Sequence, residues 1–136
     1  MPIVRIDLSD RRSPGQRRAI SDAVHEAFVE SVGIPRGDRF HLVTTHPAAE
    51  IIADPGYLDI AREDVVYIQV TFVRGRSAEL KQKFFRAVAD HLERVGVRRQ
   101  DVAIVLTENT VADYSWGNGE AQLLNLGPVP GTEPAA

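Results

Sequence analysis

The sequence predicts an α+β domain made of a duplicated β-α-β unit, with four strands in one sheet and two helices packed on one of its faces. Three observations carry this prediction. Two apolar runs with strand character, residues 3–8 and 65–73, are each followed by an amphipathic helical pattern and then a further strand. The halves share letters: Arg12-Ser13 with Arg76-Ser77, Ala23-Val24 with Ala87-Val88, and residues 32–38 with residues 95–101, with a slip of one residue inside the helix. Right-handed crossovers then lay both helices on the same side of the sheet.

The first strand, residues 3–8, opens just after Pro2, where a missing backbone donor is tolerated. Ser13-Pro14-Gly15-Gln16 combines an N-cap serine, a proline at the first helical position and a glutamine placed for a capping box, so a helix starts there. Ala19, Ile20, Ala23, Val24, Ala27 and Phe28 recur at helical spacing on one face, against Arg17, Arg18, Asp22 and Glu26 on the other. Gly33 stops this helix. A second strand is expected at residues 39–45. Residues 46–64, with two prolines and a glycine, read as a connector with a short helical turn at about 48–53.

The second half repeats the plan. Residues 65–73 are almost continuously apolar, as for a strand buried on both faces. Ser77 caps a helix that turns Leu80, Phe84, Val88, Leu92 and Val95 inward, Gly96 ends it, and residues 101–107 form the fourth strand. Residues 1–127 thus make one domain of two repeats, about 1–46 and 64–109, and residues 128–136 are expected as a flexible or interface-strapping tail. The sheet's edges and open flank need cover, which points to self-association.

Composition excludes several classes of function. With Lys+Arg 16 against Asp+Glu 19, a net charge of -3, no nucleic-acid surface is expected. The absence of cysteine removes disulfides, thiolate metal ligation and a thiol nucleophile. Neither a secretory-type leader nor an apolar run long enough to cross a bilayer is present, so a cytoplasmic location without a membrane partner is expected. His25, His41, His46 and His91 are scattered without ligand spacing, so no metal is expected, and no Ser-His-Asp nucleophile motif accompanies them.

The chemistry is sought first at Pro2. Removal of Met1 would free a secondary amine, and an α-amino group titrates near 8 in model peptides, which suits acid or base work near neutrality. The competing reading is an ordinary small second residue. Duplication sharpens the argument, because the repeat counterpart of Pro2 falls near Val66, inside the chain, where no free amine exists. The other site residues are therefore sought where the halves differ. Arg74-Gly75-Arg76 is such a place, with Arg74 opposite Asp10 and Arg76 opposite Arg12 in the alignment of the halves. If the backbone stays extended through Gly75, both arginines project to one side as a fork for a carboxylate. Two solvated arginines at a turn are the alternative.

Pro2, Asp38-Arg39-Phe40, Thr45-His46-Pro47-Ala48-Ala49-Glu50-Ile51-Ile52, Arg74-Gly75-Arg76-Ser77-Ala78-Glu79-Leu80-Lys81-Gln82 and Glu108-Asn109, followed by Asp113-Tyr114-Ser115-Trp116-Gly117, occur in an order and spacing that resembles the malonate semialdehyde decarboxylases of the tautomerase superfamily. The resemblance runs from Pro2 to about Gly127. It implies a homotrimer of duplicated β-α-β protomers, a small carboxylate substrate and no cofactor. It also places Pro2 at the catalytic proline, Asp38 at the catalytic aspartate, and Arg74 and Arg76 at the arginine pair, with Tyr114 and Trp116 as substrate-binding aromatics of the pocket. The implied reaction is decarboxylation of malonate semialdehyde or a related small 3-oxo acid to an aldehyde and CO2. Hydratase, dehalogenase or tautomerase chemistry on a small unsaturated or 2-oxo acid, and a non-catalytic trimeric binding protein, are the alternatives. Asp38 has a repeat counterpart in Asp101, so a local turn role competes with catalysis. Tyr114 and Trp116 have a competing role in burying area between subunits. Asn118 departs from the bulky apolar residue that the resemblance leads one to expect, which bears on the polarity of the pocket.

Overall fold

In the computed structural model, which describes residues 2–132, β1 (Ile3–Ser9), α1 (Pro14–Ser31) and β2 (Phe40–His46) are followed by β3 (Val66–Val73), α2 (Ala78–Glu93) and β4 (Val102–Asn109). The sheet order is β2-β1-β3-β4. Each crossover helix returns the chain to a parallel neighbour, so β1 pairs parallel with β2 and β3 with β4. The halves meet through antiparallel β1 and β3, with Ile6 opposite Ile68.

Local signals decide where the helices begin. Ser13 Oγ accepts the Gln16 backbone N–H at 3.2 Å, and Gln16 Oε1 accepts the Ser13 N–H at 2.8 Å, completing the capping box. Ser77 Oγ accepts from the Leu80 N–H at 3.1 Å in the second half. The helices cover one face of the sheet. Val4, Ile6 and Leu8 from β1 and Val66, Ile68, Val70 and Phe72 from β3 pack there against Ile20, Val24, Phe84, Val88 and Leu92. Phe28 and Phe84, with ring centroids 4.2 Å apart, join the two helices over that core.

Three expectations from the sequence need correction. The run at residues 65–73 is not buried on both faces: Gln69 is exposed and Tyr67 and Thr71 are half-buried, because both helices lie on the other side. The connector forms two short 3₁₀ turns, Ala48–Glu50 and Tyr57–Asp59, rather than one at 48–53. The fourth strand starts at Val102 because Asp101 belongs to the turn before it, where its buried carboxylate accepts the Glu63 N–H at 2.7 Å. Residues 128–132 of the tail fold back over their own chain, and residues 133–136 lie outside the described residues. The sheet edges remain open, with Phe40, Leu42 and Val43 exposed on β2 and Val105 on β4. Among the described residues no helix is long and apolar enough to cross a membrane.

Candidate active site

One end of the sheet collects the start of β1, the start of β2 and the ends of β3 and β4. Ile3 lies opposite both Phe40 and Thr71, while Val73 lies opposite Asn109. Pro2 is buried and enters the sheet beside the Arg39-Phe40 backbone and the end of β3. Asp38 stands two residues before β2, half-buried, with its N–H on the Pro35 carbonyl at 2.9 Å. It borders a cavity of about 250 Å³ whose other walls include Pro35, Leu123, Leu126, Val129 and Pro130. The sequence-predicted aspartate and proline thus come to the same end of the fold.

The two arginines do not make an equivalent fork. Gly75 has φ +121°, a conformation closed to most side-chain-bearing residues, so the chain is not extended through it. Arg74 is exposed, its N–H bonded to the Asn109 carbonyl at 2.8 Å. Arg76 is only 5% exposed. Its guanidinium lies 4.4 Å from the Phe72 ring centroid and donates from Nη1 to the Val73 carbonyl and from Nη2 to the Pro130 carbonyl, each at 2.8 Å. Burial lowers its pKa, and nearby Glu108 and Tyr114 oppose that shift.

A contrast within the duplicated fold shows what is unusual about Arg76. Arg12, its counterpart, is held by the Asp64 carbonyl at 3.0 Å and by the Asp64 carboxylate at 3.5 Å. Arg76 has two neutral acceptors, and among the described residues it makes no ion pair; neighbouring Glu108 is engaged by Lys81 at 2.6 Å. A buried cation without a carboxylate is costly to keep unless something anionic completes it. The Nε atoms of both Arg12 and Arg76 are buried without an acceptor among the described residues, so it is the missing carboxylate and not Nε that distinguishes Arg76.

The loop after β4 supplies the aromatic wall. The Thr110-Asp113 capping box, with Asp113 Oδ2 accepting the Thr110 N–H at 2.7 Å, turns the chain so that Tyr114 and Trp116 come back over the sheet end. Tyr114 and Trp116 stack at 5.6 Å, and Trp116 stacks on Phe40 at 4.1 Å. Tyr114 is buried with Val73 and Leu123, and Val129 packs on this cluster. Burial raises the Tyr114 hydroxyl pKa, opposed by the Asn109 side chain and Arg76. The Tyr114 hydroxyl, Trp116 Nε1 and Asn109 Oδ1 are buried without a partner of good geometry. The Asn109 side chain is within hydrogen-bonding reach of the Tyr114 hydroxyl, which leaves Trp116 Nε1 as the buried donor of this cluster that a water or polar ligand would satisfy.

Asn109, Phe40 and the Pro130 carbonyl are contributions that the sequence did not reveal as site residues. Asn109 and Phe40 fall within the strings that carry the family resemblance, whereas only the Pro-Gly turn signal hinted at Pro130. Asn118 sits at φ +59° between two glycines with positive φ and is exposed. Asparagine tolerates that conformation well, so its presence answers to the backbone rather than to pocket polarity. The histidines lie elsewhere in the fold. His25 is buried, with Nε2 at 2.7 Å from the Arg36 carbonyl; His41 Nδ1 lies 2.8 Å from Ser21 Oγ, and burial, aided by Arg39, lowers its pKa to about 4. Among the described residues no three His, Cys, Asp or Glu side chains gather as a metal-binding group.

Comparison with known proteins agrees with this geometry. A family profile described as tautomerase enzyme matches residues 38–117, and a second profile of the same description matches residues 2–59. Two Bacillus subtilis (strain 168) proteins, the probable tautomerases YusQ and YrdN, are 34% and 36% identical over 126 residues; these spans cover 91% of this chain and 99% and 97% of theirs. The crystal structure of FG41 malonate semialdehyde decarboxylase inhibited by 3-bromopropiolate is 45% identical with a TM-score of 0.87, over 90% of this chain and 95% of that one. A further malonate semialdehyde decarboxylase, solved to account for its decarboxylase and hydratase activities, is 34% identical with a TM-score of 0.85, over 90% and 96% of the two chains. Fused 4-OT, solved as a symmetric trimer, shares the fold at 23% identity and a TM-score of 0.75, over 91% of this chain and 99% of that one. With its paired β-α-β halves and matches along most of its length, the chain belongs to the tautomerase family.

Proposed function

We propose that the protein is a cofactor-free decarboxylase of malonate semialdehyde or another small 3-oxo acid, working through the amine that Pro2 presents once Met1 is removed. The observation that carries this reading is Arg76: a buried guanidinium held on two carbonyls, without a carboxylate partner among the described residues, at the sheet end where Pro2 enters. The 45% identity to a malonate semialdehyde decarboxylase supports the choice of reaction.

In this mechanism the buried Arg76 and the exposed Arg74 bind the substrate carboxylate. They hold the breaking C–C bond perpendicular to the plane of the 3-oxo carbonyl, so that its electrons flow into that carbonyl. Protonated Pro2 donates its proton to the carbonyl oxygen as CO2 leaves, which produces the enol rather than a bare enolate. The enol then takes a proton at carbon and returns its hydroxyl proton to Pro2 to give the aldehyde, so a net one proton is consumed per CO2 released. Asp38 keeps the prolinium charged, opposing the burial that would neutralise it. Tight binding of the carboxylate would by itself stabilise the ground state as well. The apolar wall of Leu123, Val129 and the stacked aromatics offsets this, because it favours neutral CO2 over the carboxylate.

Proton transfer on a small 2-oxo acid is the second reading, favoured by the curated relatives named as probable tautomerases. The same proline would serve it with the amine neutral. The proposed assembly is a homotrimer. It is supported by the open, apolar β2 and β4 edges and by the trimeric fused 4-OT structure that shares the fold. Mass spectrometry of the N-terminus, followed by an acetaldehyde assay on malonate semialdehyde beside a panel of 2-oxo acids, tests the reading. Processed protein is expected to release acetaldehyde. Processed protein that decarboxylates none of the 3-oxo acids, yet ketonises 2-oxo enols, would transfer the assignment to the second reading.

A further inference from the structure

The C-terminal segment folds back over the buried arginine by a route with specific geometric demands. Thr132 donates its N–H to the Val129 carbonyl at 3.2 Å, with Pro130 and Gly131 between them and Gly131 at φ +78°. Proline at the second position and positive φ at the third define a type II turn. Its middle peptide is flipped relative to a type I turn, which aims the Pro130 carbonyl, rather than the Gly131 N–H, at Arg76 Nη2.

Both flanks of this turn are packed without slack. A Cβ on Gly131 would lie 3.1 Å from Leu80 Cδ2, at the start of α2, and 3.2 Å from both Val32 Cγ1 and the Val32 carbonyl, at the end of α1. The Thr132 side chain lies against Gly75, where an added Cβ would meet it at 3.1 Å. The turn is thus wedged between the two helices and pressed onto the residue that separates Arg74 from Arg76. With one N–H of Nη1 held by Val73 and one of Nη2 by Pro130, the guanidinium plane is fixed, and the Nε N–H and the second N–H of each Nη are left over.

We infer that the turn at residues 129–132 is a positioning element for Arg76, fixing the plane of the guanidinium in which its remaining N–H groups meet the substrate carboxylate, and thereby setting affinity for small carboxylates. This rests on the reading above that Arg76 holds the carboxylate. The turn acts through Arg76 and touches no reacting atom, and because Arg76 both binds the carboxylate and holds its torsion, its effect is read in malonate affinity and in kcat/KM.

The test variant is Gly131→Ala, which strains the turn and pushes it away from Val32 and Leu80. Its control is Gly96→Ala, which introduces the same kind of positive-φ strain, at φ +91°, where a Cβ meets nothing within 4 Å. Three quantities are read for each full-length protein: hindered rotation of the Arg76 guanidinium by ¹⁵N NMR, the dissociation constant for malonate, and kcat and KM for a 3-oxo acid. Gly131→Ala is expected to free the guanidinium, weaken malonate binding about tenfold and lower kcat/KM by at least that factor, the scale of one charge-assisted hydrogen bond losing its alignment. Gly96→Ala is expected to change none of the three. In an Arg76→Ala background the Gly131→Ala change is expected to add nothing further. Should Gly131→Ala not fold, Pro130→Ala, which keeps the carbonyl and loosens the turn, is expected to shift the same quantities by a smaller factor.

A guanidinium that stays locked in the glycine variant, or a freed one with unchanged malonate affinity, overturns the inference. Wild-type protein that binds malonate without turning over any 3-oxo acid defeats the decarboxylase reading alone. A wild-type protein that fails to bind malonate defeats both.

Discussion

Replacing Arg76 by methionine separates its two roles, because methionine keeps the length and bulk of the stem while removing the charge. The structure permits an estimate of both effects. For stability, the Val73 and Pro130 carbonyls lose their donors, at about 1–3 kcal/mol each, but the variant also escapes the several kcal/mol needed to bury a guanidinium. These terms oppose each other, so unfolding free energy is expected to move by no more than about 2 kcal/mol. For activity nothing compensates. One lost charge-assisted hydrogen bond to a carboxylate is worth about 1.5–3 kcal/mol, or roughly 10–150-fold, and loss of a second contact multiplies that factor. We therefore expect kcat/KM for a 3-oxo acid to fall at least about 100-fold, measured by acetaldehyde release, while urea unfolding remains cooperative. Arg76→Lys, which retains charge but not the planar three-donor geometry, is expected to fall between wild type and Arg76→Met. A folded Arg76→Met variant with kcat/KM within threefold of wild type would refute the argument, since the buried cation would then be purely structural.

The repeat pair Asp38 and Asp101 offers an internal contrast. Asp38→Asn is expected to lower turnover by at least about tenfold with little change in stability, whereas Asp101→Ala removes a buried acceptor of the Glu63 N–H and is expected to destabilise by about 1–3 kcal/mol with the activity of the folded fraction intact; denaturant titration beside turnover checks both. A Pro2→Ala chain keeps a primary amine after Met1 removal and is expected to retain partial activity, whereas a chain that retains Met1 is expected to have none, as N-terminal mass spectrometry paired with turnover would show. His41 is neutral in the fold, with its pKa lowered to about 4 from an ordinary 6.5 by burial and by Arg39. The unfolded chain binds the proton first, so this contribution is fully present above pH 6.5 and is lost as pH falls towards 4. A His41→Gln variant should flatten the dependence of unfolding midpoint on pH across that window, and an unchanged slope would exclude His41 as its source.

Much of the architecture was legible because its signals are short in range. The Ser13-Gln16 capping box, the Ser77 cap and the helical spacing of Val24, Phe28, Phe84 and Val88 lie within one or two turns of the residues they organise, and the same order appears twice. The strand at residues 65–73 misled on one point. Its polar positions Gln69 and Thr71 sit among apolar neighbours, and continuous hydrophobicity alone does not say whether helices cover one face or two. Pro2, Arg74 and Arg76 were singled out from the residues themselves, and Asp38, Tyr114 and Trp116 from the resemblance alone.

What the sequence determined by itself is the pair of β-α-β units, the ends of their helices and the places where the two halves differ in charge. Tertiary structure alone decided that Arg74 and Arg76 have different fates, that Arg76 meets no carboxylate among the described residues whereas its counterpart Arg12 meets Asp64, and that residues 128–132 close on their own chain. Those outcomes depend on partners distant in sequence, 54 residues apart for Arg76 and Pro130, and on a positive φ at Gly75. Local chemistry can specify a turn or a cap, but the neutraliser of a buried charge is chosen only when the strands and the returning tail are packed around it.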